Sequence, residues 1–130
     1  MRLEVVTPMR VRLDRAVRRI VAEGPDGHFG MWPGHGDFVT ELVPGILIFE
    51  TEDGAERFLA VHSGTLVKCG AHVRVAVQGA IEGDDLARLR ERVETEFRRQ
   101  DEDEREARAA LARLEASMIR RFQDLEGQGP

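Results

Sequence analysis

A chain of 130 residues is long enough for one compact domain, or for a domain of about 80 residues with an appendage, and such a core is too modest for a large enclosed active site. The formal net charge of -5 argues against a general nucleic-acid-binding face, and the single cysteine, Cys69, excludes an internal disulfide and favours a reducing compartment. No apolar run approaches the roughly 18 residues of a membrane-spanning helix, and the first residues lack the order of a signal peptide, so we expect a soluble, cytoplasmic chain.

Short strand-like patterns fill the first 80 residues. Three strands come first, each bounded by turn formers: "LEVVT" (3–7), "VRL" (11–13) and "RIVAE" (19–23). Two hairpins follow a glycine-rich segment. The first turns at Asp53-Gly54, and in the second the valines of 73–77 share one face. Many short strands with regular turns predict an N-terminal β-sandwich, or flattened barrel, over residues 1–80.

The segment "GPDGHFGMWPGHGDFVTELVPG" (24–45) is rich in turn formers. It contains six of the thirteen glycines and three of the five prolines, which predicts a loop. It lacks both the Gly-Lys-Ser/Thr of a phosphate-binding loop and a following helix, so we do not expect phosphate binding. Large apolar residues cannot all point inward from such a loop, and exposed apolar groups ringed by polar ones are typical of a protein interface. The four in question are Phe29, Met31, Trp32 and Phe38.

Residues 84–126 contain neither glycine nor proline and are rich in Glu, Arg, Ala and Leu, which predicts helix. Two apolar stripes have helical spacing: Leu86, Leu89, Val93 and Phe97 in the first, and Leu111, Leu114, Met118, Phe122 and Leu125 in the second. The acidic run at 100–104 between them is a favourable start for a second helix. We therefore predict a C-terminal antiparallel two-helix hairpin, 84–99 and 103–125, whose stripes cover each other and which forms a movable appendage.

Neither a metal site nor a catalytic constellation can be assembled from the sequence. The four histidines are spaced by 7, 27 and 10 residues, which matches no zinc pattern. Ser63 and Ser117 are the only serines, and Ser63 directly follows His62, so these two side chains would point to opposite faces of a strand. We therefore expect no metal and no independent catalysis.

A spaced series of residues runs through the glycine-rich segment and beyond it: Gly24, Gly27, Gly30, Pro33-Gly34-His35, Thr40, Leu42 and Pro44-Gly45, then Ser63-Gly64 with Leu66. This series resembles the signature of the epsilon subunit of F-type ATP synthases. It departs from the family where Gly36-Asp37 replaces Ala-Pro and where Thr65 replaces a glycine. The runs "DFV", "PGILIFET", "LVKCG", "DLARLRERVETEF" and "RRF" are more similar to the alternate branch often called N-ATPases, whose members move protons or sodium ions.

The resemblance implies a sandwich followed by a helical hairpin and a place in the central rotor. In the family, the sandwich binds the gamma subunit and rests on the c-ring, while the hairpin docks on the sandwich or extends into the alpha/beta catalytic hexamer and blocks ATP hydrolysis. Such a subunit is peripheral, on the cytoplasmic face of the bacterial inner membrane. Carried over by position, the gamma and c-ring contacts are His28, Phe29, Met31, Trp32, His35 and Asp37, although many relatives have an acidic residue in place of His28.

Some relatives bind ATP through an Ile/Leu-Asp-x-x-Arg-Ala motif. Asp85 and Arg88 keep its Asp-x-x-Arg spacing but lack the flanking residues, so the resemblance leaves a regulatory ATP open, while helix capping explains Asp85 equally well. No other cofactor is implied. Two alternatives to a rotor subunit stay open: a free-standing adaptor whose loop with Phe29 and Trp32 binds an unrelated partner, and a small ATP-sensing module.

Overall fold

The computed structural model describes residues 1–127, with side chains through residue 125. Nine strands come first: β1 (Arg2–Val6), β2 (Val11–Gly24), β3 (Gly27–Met31), β4 (Phe38–Leu42), β5 (Gly45–Thr51), β6 (Glu56–Val61), β7 (Gly64–Cys69), β8 (His72–Val77) and β9 (Ala80–Gly83). A helical segment follows: α1 (Leu86–Arg92), a π-helical segment (Val93–Arg98) and α2 (Arg99–Gly127). The predicted order, a β-sandwich followed by a C-terminal helical segment, is confirmed.

β2 is a 14-residue strand that belongs to both sheets of the sandwich. Its residues 11–16 pair antiparallel with β1, and its second half pairs with β3 and β5. The register shifts between Val17 and Arg19, and such a bulge bends a strand and increases its twist, which lets β2 pass from one sheet to the other. The strands predicted at 11–13 and 19–23 are therefore parts of one strand, because no glycine or proline interrupts the chain between them.

Strand pairing runs in the order β4-β7-β8-β1-β2-β5-β6-β9, with β3 added to β2. Among the described strands, β1 with β8 is the parallel pair, and the other pairs are antiparallel. The valines predicted to share a face do so: Val73, Val75 and Val77 are at most 4% exposed. They pack with Leu3 and Val5 in the core between the two sheets, which follows from the period-2 alternation of strands.

The hairpin turn predicted at Asp53-Gly54 joins β5 to β6. Gly54 has a φ of +88°, a conformation that glycine adopts with the least strain. The Thr51 amide donates to the Ala55 carbonyl at 2.9 Å, and the Thr51 hydroxyl donates to the Asp53 carboxylate. The hydroxyl hydrogen bond lowers the pKa of Asp53 below its ordinary value of 3.8, because it stabilises the charged form.

The first helical stretch packs on the sandwich. Leu89, Val93 and Phe97 are at most 5% exposed and form a cluster with Ala60 of β6. Partly buried hydrophobic residues of the strands surround the cluster: Ile46, Phe58 and Ile81. The prediction that a partner helix covers this stripe is wrong, because the outer face of β5, β6 and β9 already offers it apolar surface. The compact unit that contains the sandwich accordingly runs from residue 1 to residue 98.

α2 is one helix of 29 residues in a second unit that begins at Arg99. The break predicted between the two helices, at 100–102, is wrong, because those residues are helical. The run contains no helix breaker, and Glu104 pairs with Arg108 one turn later at 2.6 Å, which supports helix. The second apolar stripe lies on α2 with each member more than half exposed: Leu111, Leu114, Met118, Phe122 and Leu125. None of the helices in the described residues is long and apolar enough to cross a membrane.

Candidate interaction surface

The glycine-rich segment 24–45 is mostly strand rather than loop. Gly27–Met31 forms β3 against β2, and Phe38–Leu42 forms β4 against β7. Residues 32–37 form a largely exposed turn between these strands. Gly27 has a φ of +120° in the tight connection from β2 to β3, where a side chain would be strained. The glycines and prolines therefore mark turns between strands, and the outward-facing turn 32–37 is the part open to a partner.

Four aromatic rings, which we call the ring cluster, run from the core to this turn. Phe29 and Phe38 pack against the hydrophobic core, with ring centroids 5.9 Å apart and planes at 81°. The His35 ring lies 4.9 Å from Phe38, and the Trp32 ring lies 5.1 Å from His35 at 82°. Edge-to-face contacts of this kind are favourable. Trp32, at the outer end of the ring cluster, is 53% exposed, so a large apolar side chain faces solvent on a supported turn.

Met31 is not part of this exposed surface. It is fully buried in the core, at the end of β3. Successive side chains of a strand point to opposite faces, so Phe29 and Met31 share the inner side while His28 lies on the other. The expectation that Met31 contacts a partner is therefore wrong, since the segment is a strand that can turn both apolar residues inward.

A buried lysine holds the turn from beneath. Lys68 of β7 is 2% exposed, and its Nζ donates hydrogen bonds to the carbonyl oxygens of His35 and Gly70. The Asp37 Oδ1 accepts a hydrogen bond from the Gly70 amide at 2.7 Å, so Asp37 ties the same turn to the connection between β7 and β8. A buried ammonium is costly unless its protons are bonded, so these acceptors are what allow it to stay buried. The turn that carries Trp32 is thus fixed in position.

Sequence analysis missed Lys68 and two exposed valines beside it. The signal for Lys68 is the alternation in "GTLVKC", which places it on the same inner face of β7 as Leu66. Val39 of β4 and Val67 of β7 lie directly opposite each other and are 68% and 37% exposed. They add apolar surface to the outer face of the strand pair that flanks the turn.

His28 lies apart from the ring cluster. It is exposed, pairs across the strands with Glu23, and its Nε2 is 3.8 Å from the Glu23 Oε2. Trp32 is four positions further along the chain, just beyond the end of β3, which corresponds to about 13 Å of extended chain. With Glu23 and Arg90 it lines an open cavity of about 310 Å³ beside α1. The predicted contact residues therefore divide into His28 alone and a group around the turn: Phe29, Trp32, His35 and Asp37.

Asp85 is the N-cap of α1. Its carboxylate accepts hydrogen bonds from the amides of Ala87 at 3.0 Å and Arg88 at 3.3 Å, which satisfies two donors of the first helical turn. The Arg88 side chain is exposed and lines an open cavity of about 600 Å³. Capping accounts for Asp85 without a ligand. Within residues 1–127 no group of His, Cys, Asp and Glu could hold a metal ion.

Comparison with known proteins points to one family. The family described as the beta-sandwich domain of the ATP synthase delta/epsilon chain matches residues 1–83, more than half of the chain. A protein named ATP synthase epsilon chain 2 from Paraburkholderia xenovorans is 36% identical over 124 residues, covering 94% of this chain and 89% of that relative. Another with the same name, from Cereibacter sphaeroides, is 37% identical over 120 residues, covering 91% of this chain and 82% of that relative.

Two solved structures share the fold. The first is the cryo-EM structure of Euglena gracilis mitochondrial ATP synthase, OSCP/F1/c-ring, with a TM-score of 0.60 and 23% identity over 66% of this chain and 56% of that chain. The second is the central stalk and c-ring of Tetrahymena thermophila mitochondrial ATP synthase, with a TM-score of 0.53 and 16% identity over 63% of this chain and 66% of that chain. At such identities the likeness shows the fold alone. Because the sandwich matches the family and the bacterial epsilon chains match over nearly the whole length, the chain belongs to the delta/epsilon family of F-type ATP synthases, as a non-catalytic epsilon subunit.

Proposed function

We propose that this epsilon subunit works in the central rotor and that the turn 32–37 is its contact with the gamma subunit and the c-ring. The observation that carries the proposal is the 53% exposure of Trp32 on a turn that Lys68 and Asp37 hold from beneath. Tryptophan is among the commonest anchors of protein interfaces, and a fixed turn loses little conformational freedom on binding. The two solved structures that share the fold both come from assemblies that include a c-ring.

The sandwich is suited to a mechanical role. β2 belongs to both sheets, so a force applied to one sheet passes to the other through a continuous backbone. The core between the sheets is closely packed, and packed interiors transmit strain rather than absorb it. In this proposal the subunit makes and breaks no covalent bond. It couples gamma to the c-ring, while the membrane ring selects the transported ion, proton or sodium.

We further propose that α2 contacts the alpha/beta catalytic subunits and limits ATP hydrolysis. Its apolar stripe is more than half exposed along the helix, and stripes of this kind are usually covered by a partner. A complex assembled with a chain that ends at Arg98 is therefore expected to hydrolyse ATP faster than the complex with the full chain. Equal rates in two complexes of equal subunit content would contradict this part of the proposal.

Two observations support a more specific place for the complex. Both bacterial relatives described above carry the name epsilon chain 2, and several sequence runs resemble the N-ATPase branch. We therefore place the subunit in a complex of that branch, peripheral on the cytoplasmic face of the bacterial inner membrane. It reaches the membrane only through its partners.

Trp32→Ala tests the contact surface. We expect its affinity for a reconstituted gamma and c-ring assembly to fall by about 2 kcal/mol, roughly thirtyfold, because a hot-spot side chain is lost. Met9→Ala is the matched control, since Met9 is 88% exposed and lies outside the turn. Both variants should keep the melting temperature of the parent chain. Normal assembly of the Trp32→Ala variant would show that the turn 32–37 is not part of the contact. If the parent chain fails to co-purify with gamma, a free-standing adaptor is favoured instead.

A further inference from the structure

The start of β2 is rich in arginine with little acid to offset it, in a chain that is acidic overall. Residues 10–19 hold five of the nineteen basic residues and a single acid, Asp14, although the net charge of the chain is -5. Three of the charged groups in this stretch are paired: Asp14 with Arg2, Arg18 with Glu50 and Arg19 with Glu56. Among the described residues, Arg10 and Arg12 form no ion pair, and both are exposed. Positive charge at the start of β2 is therefore available to a ligand.

These arginines stand beside a gap between two free strand edges. Residues 11–16 of β2 pair with β1 on one side only, and β9 pairs with β6 on one side only, as far as the described strands go. Arg10 and Arg12 face Ile81 and Glu82 of β9 across an open cavity of about 420 Å³. A second cavity of about 370 Å³ adjoins it at Glu82 and is lined by Arg15 and Arg57. We call the two together the β2–β9 cleft.

The lining of the β2–β9 cleft is mostly polar and positively charged, with a few buried apolar residues at its base. Four guanidinium groups line it against two carboxylates: Arg10, Arg12, Arg15 and Arg57 against Glu82 and Asp84. Leu59 and Ala80 of the core border the first cavity, and Phe49 and Phe58 border the second, where the Arg15 guanidinium lies 5.9 Å from the Phe49 ring centroid. A ligand that fits this lining carries several negative charges.

The spacing of the arginines indicates an extended ligand. Arg10 and Arg12 are two residues apart, about 7 Å along a strand, which is also the distance between alternate side chains of an extended peptide. Arg10 directly precedes β2, and Arg15 lies three positions after Arg12 on the opposite face of the strand, so the basic groups are spread over more space than one phosphate or carboxylate group can bridge. Free strand edges have unpaired backbone amides and carbonyls, which are suited to pairing with an added strand.

We propose that the β2–β9 cleft binds an extended, acidic segment of a protein partner. Carboxylates of that segment pair with the exposed side chains of Arg10, Arg12 and Arg57, and its backbone extends along a free strand edge of the cleft. The proposal is independent of the contact assigned to the turn 32–37, because it uses other strands and other side chains.

A labelled peptide tests the proposal with the full 130-residue chain. Fluorescence anisotropy with an alternating Glu-Val decapeptide is expected to show binding that weakens with salt, and an alternating Lys-Val decapeptide is expected not to bind. Arg12→Glu/Arg57→Glu should weaken the binding at least about tenfold. Arg18→Glu/Arg19→Glu is the matched control, since it changes the net charge equally outside the cleft, and it should weaken binding far less.

Two further measurements distinguish pairing of the peptide with a strand edge from a general effect of anions. Successive amides of a strand point to opposite sides, so of Ile81 and Glu82 the amide that points away from β6 should exchange more slowly in the presence of the Glu-Val peptide, as expected for a strand edge that gains a partner. If the charge reversals unfold the chain, Arg12→Gln/Arg57→Gln replaces them, with circular dichroism as the check of folding. Equal weakening by the two double variants, or tripolyphosphate binding as tightly as the peptide, would overturn the proposal, because either result indicates a general anion effect.

Discussion

Truncating Phe97 to alanine tests whether the first helical stretch belongs to the body of the sandwich. The Phe97 side chain is 5% exposed, and its ring stacks on His62 with centroids 5.1 Å apart and planes at 10°. The ring also lies against Gly79, where an added Cβ would be only 3.3 Å from it. Phe97 thus fills the space between the π-helical segment and the strands, and alanine would leave a cavity there.

The magnitude follows from the size of the cluster. Phenylalanine to alanine in a core costs about 3–5 kcal/mol. The cluster here is small and lies outside the main core, with Leu89, Val93 and Ala60 as its other buried members, so the stretch 86–98 can undock without unfolding the sandwich. We therefore expect a local loss of about 3 kcal/mol, or roughly a hundredfold faster amide exchange in 86–98.

Hydrogen exchange read by mass spectrometry or NMR measures the effect. Amides of 86–98 should lose protection in Phe97→Ala, whereas amides of β8 such as Val73 and Val75 should keep theirs. Phe122→Ala is the matched control, because Phe122 is 66% exposed on α2 and the same truncation there should cost less than about 0.5 kcal/mol. Exchange in 86–98 within about threefold of the parent chain, or equal effects of both truncations, would refute the docking of this stretch on the sandwich.

Two further predictions concern the turns. Lys68→Met keeps most of the unbranched side chain but leaves the carbonyls of His35 and Gly70 without this donor. We expect a loss of about 1–2 kcal/mol in urea unfolding and faster amide exchange at 35–37, and unchanged exchange there would show that Lys68 does not hold the turn. The hydrogen bond from the Thr51 hydroxyl lowers the pKa of Asp53 in the folded chain. It therefore stabilises the fold at pH values above the ordinary pKa of Asp53, and this stabilisation is lost as pH falls through the lowered pKa of the folded state. Thr51→Val should therefore be less stable than the parent near neutral pH, by a margin that shrinks in acid, and a margin independent of pH between about 2 and 6 would contradict this reasoning.

The glycine-rich segment shows where local patterns mislead. Its glycines and prolines indicate turns correctly at 32–37 and at Gly27, yet the residues between form β3 and β4. β4 pairs with β7, in which Phe38 lies opposite Lys68, so its backbone partner is 30 residues away in the sequence. Turn propensity is a property of neighbouring residues, whereas strand pairing depends on a distant segment. For that reason Trp32 was correctly expected at the surface, and Met31 was not correctly placed.

The helical segment shows the same division. Spacing alone identified both apolar stripes, and three residues of the first stripe are buried: Leu89, Val93 and Phe97. Spacing does not predict which surface covers a stripe, and in the structure residues of the strands cover this one. The acidic residues at 100–104 were interpreted as the start of a new helix, but residues without Gly or Pro are equally compatible with a helix interior.

By itself, the sequence determined the order of the two parts, the alternation that buries Val73, Val75 and Val77, the hairpin turn at Gly54 and the resemblance to the epsilon subunits. These features depend on residue type and short spacing, which a sequence contains directly. Only the tertiary structure decided that Lys68 lies beneath the turn 32–37. It also decided that four arginines line the β2–β9 cleft together with residues of β9. Both arrangements bring together side chains from segments far apart in the chain, and their distances are set by how the two sheets share β2.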